Sequence, residues 1–492
     1  MKNTTQETNR SKTKIVLWIF IMAYIAYFSF FTILRMKTLY ANYLDLGIMH
    51  QTVFNTYRAL TNFDPTRILE LTDPLGQNQI KRMAIHNDIL LAPLALFYFI
   101  YASPITLLVV QAFVVGLGAW FVFKIAQIVF EKSPQHNLLS LLFSVGYLLY
   151  PALEKANMFD FHAATLTTTF LLAMFYFWLK KSYGWSFFFV ILSLLTKEQV
   201  GLTTAFFGLY TLFFPTKREN KNAKFSLLVA GVSLLWFILS IFVIIPYFRG
   251  GNQHFALNYY GDFGNTPAKV FLGLFLNPAL LLTRLFALDT WKYLLTMLGP
   301  LGFLSILSPL QILIAAPEFG INLLSNNPNL RNIFYHYSSV ITPFVFISAI
   351  YGSRFVLNKF KIAKTVMWWL LGFSLLFAYF QGPLPFAKNK EIHPFIYPIK
   401  EASVTQDWAQ KLKDENLKIS STGKLAPFFT SRRYFYAFSQ YYPAADYLVI
   451  MPSEVYNYPE KESLVPVYDR LLHDKRFELI FKQDDFEVYK KI

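Results

Sequence analysis

Side chains able to do chemistry recur beside apolar stretches of this sequence. They are Asp45, Gln51, Arg82, His86, Asp160, His162, Lys197, Glu198, Glu318, His336 and Tyr337. Ionisable residues at membrane depth are costly to bury and are typical of functional sites. Cations or a metal can hold a phosphate while a carboxylate activates an acceptor, so this combination suits transfer of a phosphate-linked group.

Taken singly, several of these residues have a plainer explanation. An acidic residue in an outer loop, such as Glu154, is more often simply solvated, and Lys197 and Glu198 can pair with each other. Asp45 is the strongest candidate because it lies inside an apolar stretch. No single motif among these residues is specific. The prediction of a site therefore depends on the placement of all of them on one side of the membrane.

The elements that must position these residues are membrane helices. Of the 492 residues, 55% are hydrophobic and 15% are charged, whereas a soluble protein carries roughly a quarter charged residues. The formal charge of +16 would indicate a nucleic-acid partner only if the basic residues clustered on a water-exposed domain, and they do not. The absence of cysteine excludes disulfides and thiolate chemistry.

Apolar runs bounded by charge or proline predict about eleven transmembrane helices. These lie near residues 14–34, 104–123, 137–151, 164–179, 184–195, 199–214, 225–247, 291–304, 308–322, 338–353 and 365–381. The first run lacks a small-residue cleavage site, which indicates a retained anchor rather than a signal peptide. The sequence thus predicts an α-helical polytopic membrane protein, with residues 1–381 as its membrane domain.

Basic residues predict the orientation, because short loops rich in Lys and Arg stay cytoplasmic. They are Lys2, Arg10, Lys12, Lys14, Lys124, Lys132, Lys180, Lys181, Lys217, Arg218, Lys221, Lys224, Arg354, Lys359, Lys361 and Lys364. These residues fall on every second connection, beginning with the N-terminus. We expect a multi-pass cell-membrane protein with a cytoplasmic N-terminus and with its candidate site on the outer side.

Two segments outside the spans carry predicted structure. Residues 35–103 form a long first external loop with amphipathic stretches at 41–59 and 87–102, which are typical of helices in the membrane interface. Residues 382–492 alternate short apolar runs with a helix-like stretch, and this pattern predicts a small α/β extracytoplasmic domain behind a proline-marked linker.

The ordered set of motifs resembles a known family. The motifs are Asp45-Leu46-Gly47-Ile48 with Gln51, His86, Tyr101-Ala102-Ser103-Pro104 with Gln111, Leu149-Tyr150-Pro151, Phe159-Asp160-Phe161-His162, Thr196-Lys197-Glu198 and His336-Tyr337. Over residues 40–350 the chain resembles the predicted membrane proteins of the domain of unknown function 2079 family, which are similar to the glycosyltransferase C-fold (GT-C) superfamily. The resemblance implies a lipid-phosphate-linked sugar donor and an essential acidic residue in the first external loop, a role that falls on Asp45.

One departure from the superfamily bears on metal use. Many members carry two adjacent acidic residues at this place, whereas here Leu46 follows Asp45. A lone carboxylate favours a general base that works without metal. A divalent metal, Mg²⁺ or Mn²⁺, at Asp45 is the one cofactor considered.

The leading hypothesis is a glycosyltransferase that moves a sugar from a polyprenyl-phosphate-linked donor to an envelope lipid, glycan or protein at the outer face of the bilayer. In it Asp45 deprotonates the acceptor. Lys197, with His86 or Arg82, holds the donor phosphate, and His162 and Glu198 orient the site.

Two other functions compete with this one. A non-enzymatic transporter or flippase of a lipid-linked or polymer substrate would use the same charges along a path, but the sequence shows no convincing internal repeat. An envelope scaffold would use the outer domain to recruit partners.

Overall fold

The computed structural model describes residues 2–214, 222–388, 399–457 and 459–492, with side chains from residue 11 onward. Five of the basic side chains used to predict the orientation lie outside this description. They are Lys2, Arg10, Lys217, Arg218 and Lys221.

The described chain is mostly helical. The helices of its membrane part and first loop are α1 (Lys2–Lys37), α2 (Ile48–Asn62), α3 (Leu91–Leu94), α4 (Pro104–Val129), α5 (His136–Leu148), α6 (Pro151–Phe159), α7 (Ala163–Leu179), α8 (Tyr183–Leu194), α9 (Val200–Phe213), α10 (Ala223–Leu239), α11 (Ile245–Phe248), α12 (Pro267–Leu276), α13 (Pro278–Phe286), α14 (Leu288–Leu298), α15 (Pro309–Ile312), α16 (Ala316–Leu324), α17 (Thr342–Phe360) and α18 (Ala363–Gln381).

Each predicted span coincides with helical structure, although the helices differ in length. Four helical segments are long and apolar enough to cross a membrane, namely Ser11–Lys37, Pro104–Val129, Ala223–Phe248 and Ala363–Gln381. Counting each of two bent helix pairs as one span gives up to six within the described residues. Several other apolar helices are shorter, so the count of eleven crossings stays a prediction.

Prolines account for the two bends. Helices α5 and α6 meet at 42°, and α12 and α13 meet at 87°. Pro151 and Pro278 begin the second helix of each pair, where the missing N–H costs nothing and the preceding residue is kept out of the helical region. The predicted spans do not include α12 and α13, each of which is too short to cross a membrane alone.

The first external loop contains more structure than its two amphipathic stretches predict. A π-helical turn (Tyr43–Gly47) leads into α2, which confirms a helix in the first stretch. The second stretch forms only the short α3 and a 3₁₀ turn (Ala95–Phe99). Between them lies an unpredicted antiparallel hairpin of β1 (Glu70–Thr72) and β2 (Gln79–Lys81).

The C-terminal α/β unit, residues 402–491, is a five-stranded mixed sheet with helices. Its elements are α19 (Ala402–Lys411), β3 (Ile419–Ser421), β4 (Phe435–Ala437), β5 (Tyr447–Ile450), α20 (Pro452–Tyr456), α21 (Lys461–Leu472), β6 (Phe477–Gln483) and β7 (Phe486–Lys491). The strand order is β4-β3-β5-β7-β6, with β3 parallel to β4 and β5 and with β7 antiparallel to β5 and β6.

One hydrophobic core joins this unit to the first external loop. Leu39, Tyr43, Ile48 and Leu71 of the loop pack in the same buried cluster as residues of α19 and of strands β3, β4, β5 and β7. The Tyr43 and Phe435 rings lie 4.9 Å apart between centroids. Burial of this shared apolar surface holds the α/β unit against the turn that carries Asp45.

Candidate functional site

A cavity of about 770 Å³ lies between the first external loop, the α8–α9 connection, the chain after α11 and the segment before α17. Its polar lining consists of Asp45, Asp73, Arg82, His86, Asp88, His162, Thr196, Lys197, Arg249, Tyr259, His336 and Tyr337. Most of the residues predicted from the sequence as a site therefore meet in one place, although they come from distant parts of the chain.

The π-helical turn holds Asp45 at the edge of this cavity. Asn42 begins the turn, and its side chain accepts a hydrogen bond from the Leu44 N–H at 3.3 Å. The Asn42 N–H in turn donates to Asp160 Oδ2 at 3.2 Å. A Cβ on Gly47 would lie 2.7 Å from the Tyr43 ring, so the tight turn requires glycine there. Asp160 is buried outside the cavity lining and anchors the turn.

Among the residues that the structure describes, hydrogen bonding reaches one oxygen of the Asp45 carboxylate. His162 Nε2 lies 2.9 Å from Asp45 Oδ1, and the aspartate side chain is 27% exposed. Within the described residues no other side chain binds this carboxylate. Its second oxygen therefore remains available to a ligand in the cavity.

A row of stacked rings links His162 to a lysine. The His162 and His336 rings stack with centroids 4.0 Å apart, and His336 Nε2 lies 3.4 Å from Lys197 Nζ. Burial, together with the nearby charges of His162 and Lys197, lowers the pKa of His336 well below its usual value. His336 is therefore neutral and accepts from the lysine, and its Nδ1 has no partner among the described residues.

Lys197 and Arg249 bring positive charge to the cavity without a carboxylate partner in the described part of the chain. The Lys197 ammonium lies over the Tyr337 ring at 5.4 Å from the centroid. Arg249 donates from Nη1 to the Ala84 carbonyl at 2.9 Å, while its buried Nε has no partner there. Two such cations in one cavity form an anion-binding arrangement.

Arg82 lines the cavity but is already paired. Its guanidinium donates to both oxygens of Asp88 at 2.8 to 3.0 Å, and both side chains are 4% exposed. Burial raises the pKa of Asp88 against the lowering effect of Arg82. Arg249 is thus better placed than Arg82 to supply a free cation.

Glu198 lies behind the cavity wall in a saturated cluster. Its Oε1 is 2.8 Å from His86 Nδ1 and 3.1 Å from His254 Nε2, and its Oε2 accepts from the Asn87 N–H at 3.0 Å. Burial raises the pKa of Glu198, but its close contacts with His86 and His254 outweigh this effect and lower the pKa well below its usual value. Burial lowers the pKa of His86 to about 3.

His86, Glu198 and His254 form the group of three possible metal ligands in the described residues. Two imidazoles and a carboxylate are a donor set that zinc accepts. The Ala256 N–H, however, donates to His254 Nδ1 at 3.0 Å, so the proton of the neutral ring lies on Nε2 and points at Glu198. The donors therefore satisfy one another by hydrogen bonds, and this arrangement does not fit a metal.

Metal at Asp45 stays a prediction. Mg²⁺ prefers several oxygen ligands, and within the described residues Asp45 contacts one imidazole and no second carboxylate.

Gln51 and Glu318 do not line the cavity. The Gln51 side chain donates to the Thr72 hydroxyl at 3.2 Å and to the Arg433 carbonyl at 3.0 Å. Glu318 is buried on α16, and its Oε2 has no partner among the described residues. The proposed pairing of Lys197 with Glu198 is also not formed, since Glu198 binds the two histidines.

Three residues near the cavity were not predicted from the sequence, namely Arg249, His254 and Tyr259. A signal for Arg249 was present, because this arginine follows a predicted span at the end where basic residues are scarce. The two glycines after it have φ values of 64° and 91°, which form the turn that returns the chain to the cavity.

Comparisons with known proteins agree with this architecture. A model of the family described as predicted membrane protein (DUF2079) matches residues 35–488. No curated protein sequence matches the chain. Among solved structures the chain is similar to ArnT from Cupriavidus metallidurans bound to undecaprenyl phosphate, with a TM-score of 0.51 and 12% identity over 96% of this chain and 98% of that one.

At this identity the likeness to ArnT concerns the fold alone. The match to the family model covers most of the sequence. The chain therefore belongs to the DUF2079 family of predicted membrane proteins.

Proposed function

We propose that this protein transfers a sugar from a polyprenyl-phosphate-linked donor to an envelope lipid, glycan or protein. The observation that carries the proposal is that one cavity contains Asp45, whose Oδ2 is available to a ligand, and two cations, Lys197 and Arg249, that have no carboxylate partner in the described part of the chain.

The two cations hold the donor phosphate. Lys197 is 9% exposed, so its charge acts in a site largely shielded from water, where it attracts an anion more strongly than a surface lysine does. The Arg249 guanidinium supplies planar donors that match phosphate oxygens. As the bond between the sugar and the phosphate breaks, both cations stabilise the negative charge that develops on the leaving polyprenyl phosphate.

Asp45 is the general base. The His162 Nε2–H donates to Oδ1 and fixes the orientation of the carboxylate, while Oδ2 takes the proton of the acceptor hydroxyl. The acceptor oxygen then forms a bond to the anomeric carbon, and the bonding electrons leave with the phosphate. The rings of His336 and Tyr337 line the space between this base and Lys197.

A lipid-linked donor suits a cavity at the edge of a membrane domain. The ArnT structure, which shares the fold, contains undecaprenyl phosphate. Exposed apolar side chains on α12 and α13, such as Phe271, Phe275 and Phe286, offer an apolar surface for a polyprenyl chain. With the N-terminus in the cytoplasm, as the basic loops predict, the cavity faces the outer side.

Mass spectrometry of a deletion strain tests the proposal. We expect the lipid-linked donor to accumulate and one envelope glycan to lose a sugar. The wild-type gene should restore both, and a gene carrying Asp45→Asn should not. Full restoration by Asp45→Asn at wild-type protein levels would remove Asp45 from the reaction.

A further inference from the structure

We propose that the C-terminal α/β unit positions Asp45, and that Gly423 and Ser431 are the positioning residues through which it acts. The consequence for transfer rests on the proposed function, whereas the positioning itself does not. Two buried contacts, together with the rigidity of the segment that makes the second one, support the proposal.

The first contact is made by the backbone beside Asp45. The Tyr43 N–H donates to the Gly423 carbonyl at 3.0 Å, which joins the π-helical turn to the loop after β3. A Cβ on Gly423 would lie 3.0 Å from both polar atoms of the Asn42 side chain, the residue that begins the turn. A larger residue at this position would therefore press on the Asn42 side chain and displace it.

The second contact fixes the helix that continues the turn. His50 Nε2 lies 2.8 Å from Ser431 Oγ, and His50 Nδ1 lies 2.6 Å from the Tyr98 hydroxyl. The neighbouring Gln51 side chain donates to the Arg433 carbonyl at 3.0 Å. Both α2 side chains are fully buried, so losing a partner leaves a polar atom unsatisfied.

The third observation concerns the rigidity of residues 429–433, here called the strap, which contain Ser431 and Arg433. Arg432 is 2% exposed. Its guanidinium donates to the Phe429, Asp414, Leu417 and Leu412 carbonyls at 2.5 to 3.1 Å. This arginine holds the strap to the α/β unit, so that the unit and α2 move as one.

Ion pairs at the edge of the contact between the α/β unit and the first loop contribute less to holding the turn. Arg433 pairs with Glu70 at 2.9 Å, and Arg58 pairs with Glu415. The Arg433, Arg58 and Glu415 side chains are about 30% exposed, and such pairs stabilise weakly. The buried polar contacts and the shared hydrophobic core therefore hold the turn from the α/β side, while Asp160 holds it from the membrane side.

Cysteine labelling tests the positioning without reference to activity. The chain has no cysteine, and Leu46, which follows Asp45 in the π-helical turn, is fully buried. Leu46→Cys in the full-length protein gives a single thiol that a polar maleimide reaches only when the turn opens. We expect Ser431→Ala or Gly423→Ala in this background to raise the labelling rate about fivefold, the ratio expected for loss of one buried hydrogen bond. The matched control Ser463→Ala removes a hydroxyl from α21, away from the first loop, and should leave the rate unchanged.

Conservative rescue separates positioning from folding. Ser431→Thr keeps the hydroxyl and should restore slow labelling, and Ser431→Ala should still unfold in one cooperative transition. Unchanged labelling in Ser431→Ala overturns the proposal, even if Gly423→Ala does not fold. Faster labelling in a protein without transferase activity would leave the positioning intact and remove only the proposed function.

Discussion

Two carboxylate–imidazole groups border the same cavity and differ in how completely they are satisfied. Asp45 accepts one hydrogen bond, from His162, and is 27% exposed. Glu198 accepts three hydrogen bonds and is 4% exposed. A carboxylate with a free oxygen can take a proton from a ligand, whereas a saturated one holds its neighbours in place. The comparison assigns chemistry to Asp45 and structure to Glu198.

Asp45→Asn should produce the largest effect. The amide cannot accept the proton of the acceptor, so we expect the transfer rate to fall by about 10²- to 10⁴-fold, with little change in melting temperature. The control is Asp73→Asn, which alters another carboxylate of the cavity and should keep most activity. Comparable losses in the two variants would contradict the special role of Asp45.

Lys197→Ala should weaken donor binding. Removing a buried charge that binds phosphate should raise KM for the donor by about ten- to a hundredfold, and Lys197→Arg should recover much of it. Lys180→Ala, on the exposed turn between α7 and α8, is the control. An unchanged KM in Lys197→Ala would place the phosphate elsewhere.

Glu198→Gln should act on stability more than on chemistry. The new amide group would face a histidine N–H or the Asn87 N–H, and such a mismatch costs about 1–3 kcal/mol. We expect a lower melting temperature and a smaller loss of transfer than in Asp45→Asn. The exposed Glu462→Gln is the control. A stable Glu198→Gln protein with no activity would exchange the roles assigned to the two carboxylates.

The saturated cluster should also respond to acid. The folded protein protonates His86 only near its lowered pKa of about 3, whereas the unfolded chain does so near the ordinary value of about 6.5. The contribution of His86 to the free energy of unfolding is therefore constant above pH 6.5. Below pH 6.5 it destabilises the fold by up to ~1.4 kcal/mol per pH unit. Melting curves from pH 7 to pH 4 should show a shallower loss for His86→Gln than for wild type or for His473→Gln.

The sequence predicted most elements that have a strong local pattern. Apolar runs located α1, α4, α10 and α18, and short alternating runs located the strands of the α/β unit. Local pattern failed where tertiary context decides the outcome. The β1–β2 hairpin depends on its packing beside α2, and the α12–α13 pair has runs too short to be recognised as membrane helices.

The site was predictable as a set of residue types but not as a geometry. The motifs of Asp45, His162, Lys197 and His336 predicted a shared side, and the structure places these residues in one cavity. The sequence could not show that Arg82 pairs with Asp88 or that Glu198 accepts hydrogen bonds from two histidines, because these contacts form only in the folded structure. The signal for Arg249 was its place after a predicted span, and the return of this arginine to the cavity depends on the turn at Gly250 and Gly251.

Direct binding of polyprenyl phosphate tests the central claim most directly. Purified protein mixed with undecaprenyl phosphate should retain one lipid per chain in native mass spectrometry, and the Lys197→Ala/Arg249→Ala double variant should lose it while melting as wild type does. Asp45→Asn should bind as wild type, since the base does not hold the phosphate. Equal retention by the double variant, or no retention by the wild type, would contradict a phosphate site formed by these two cations.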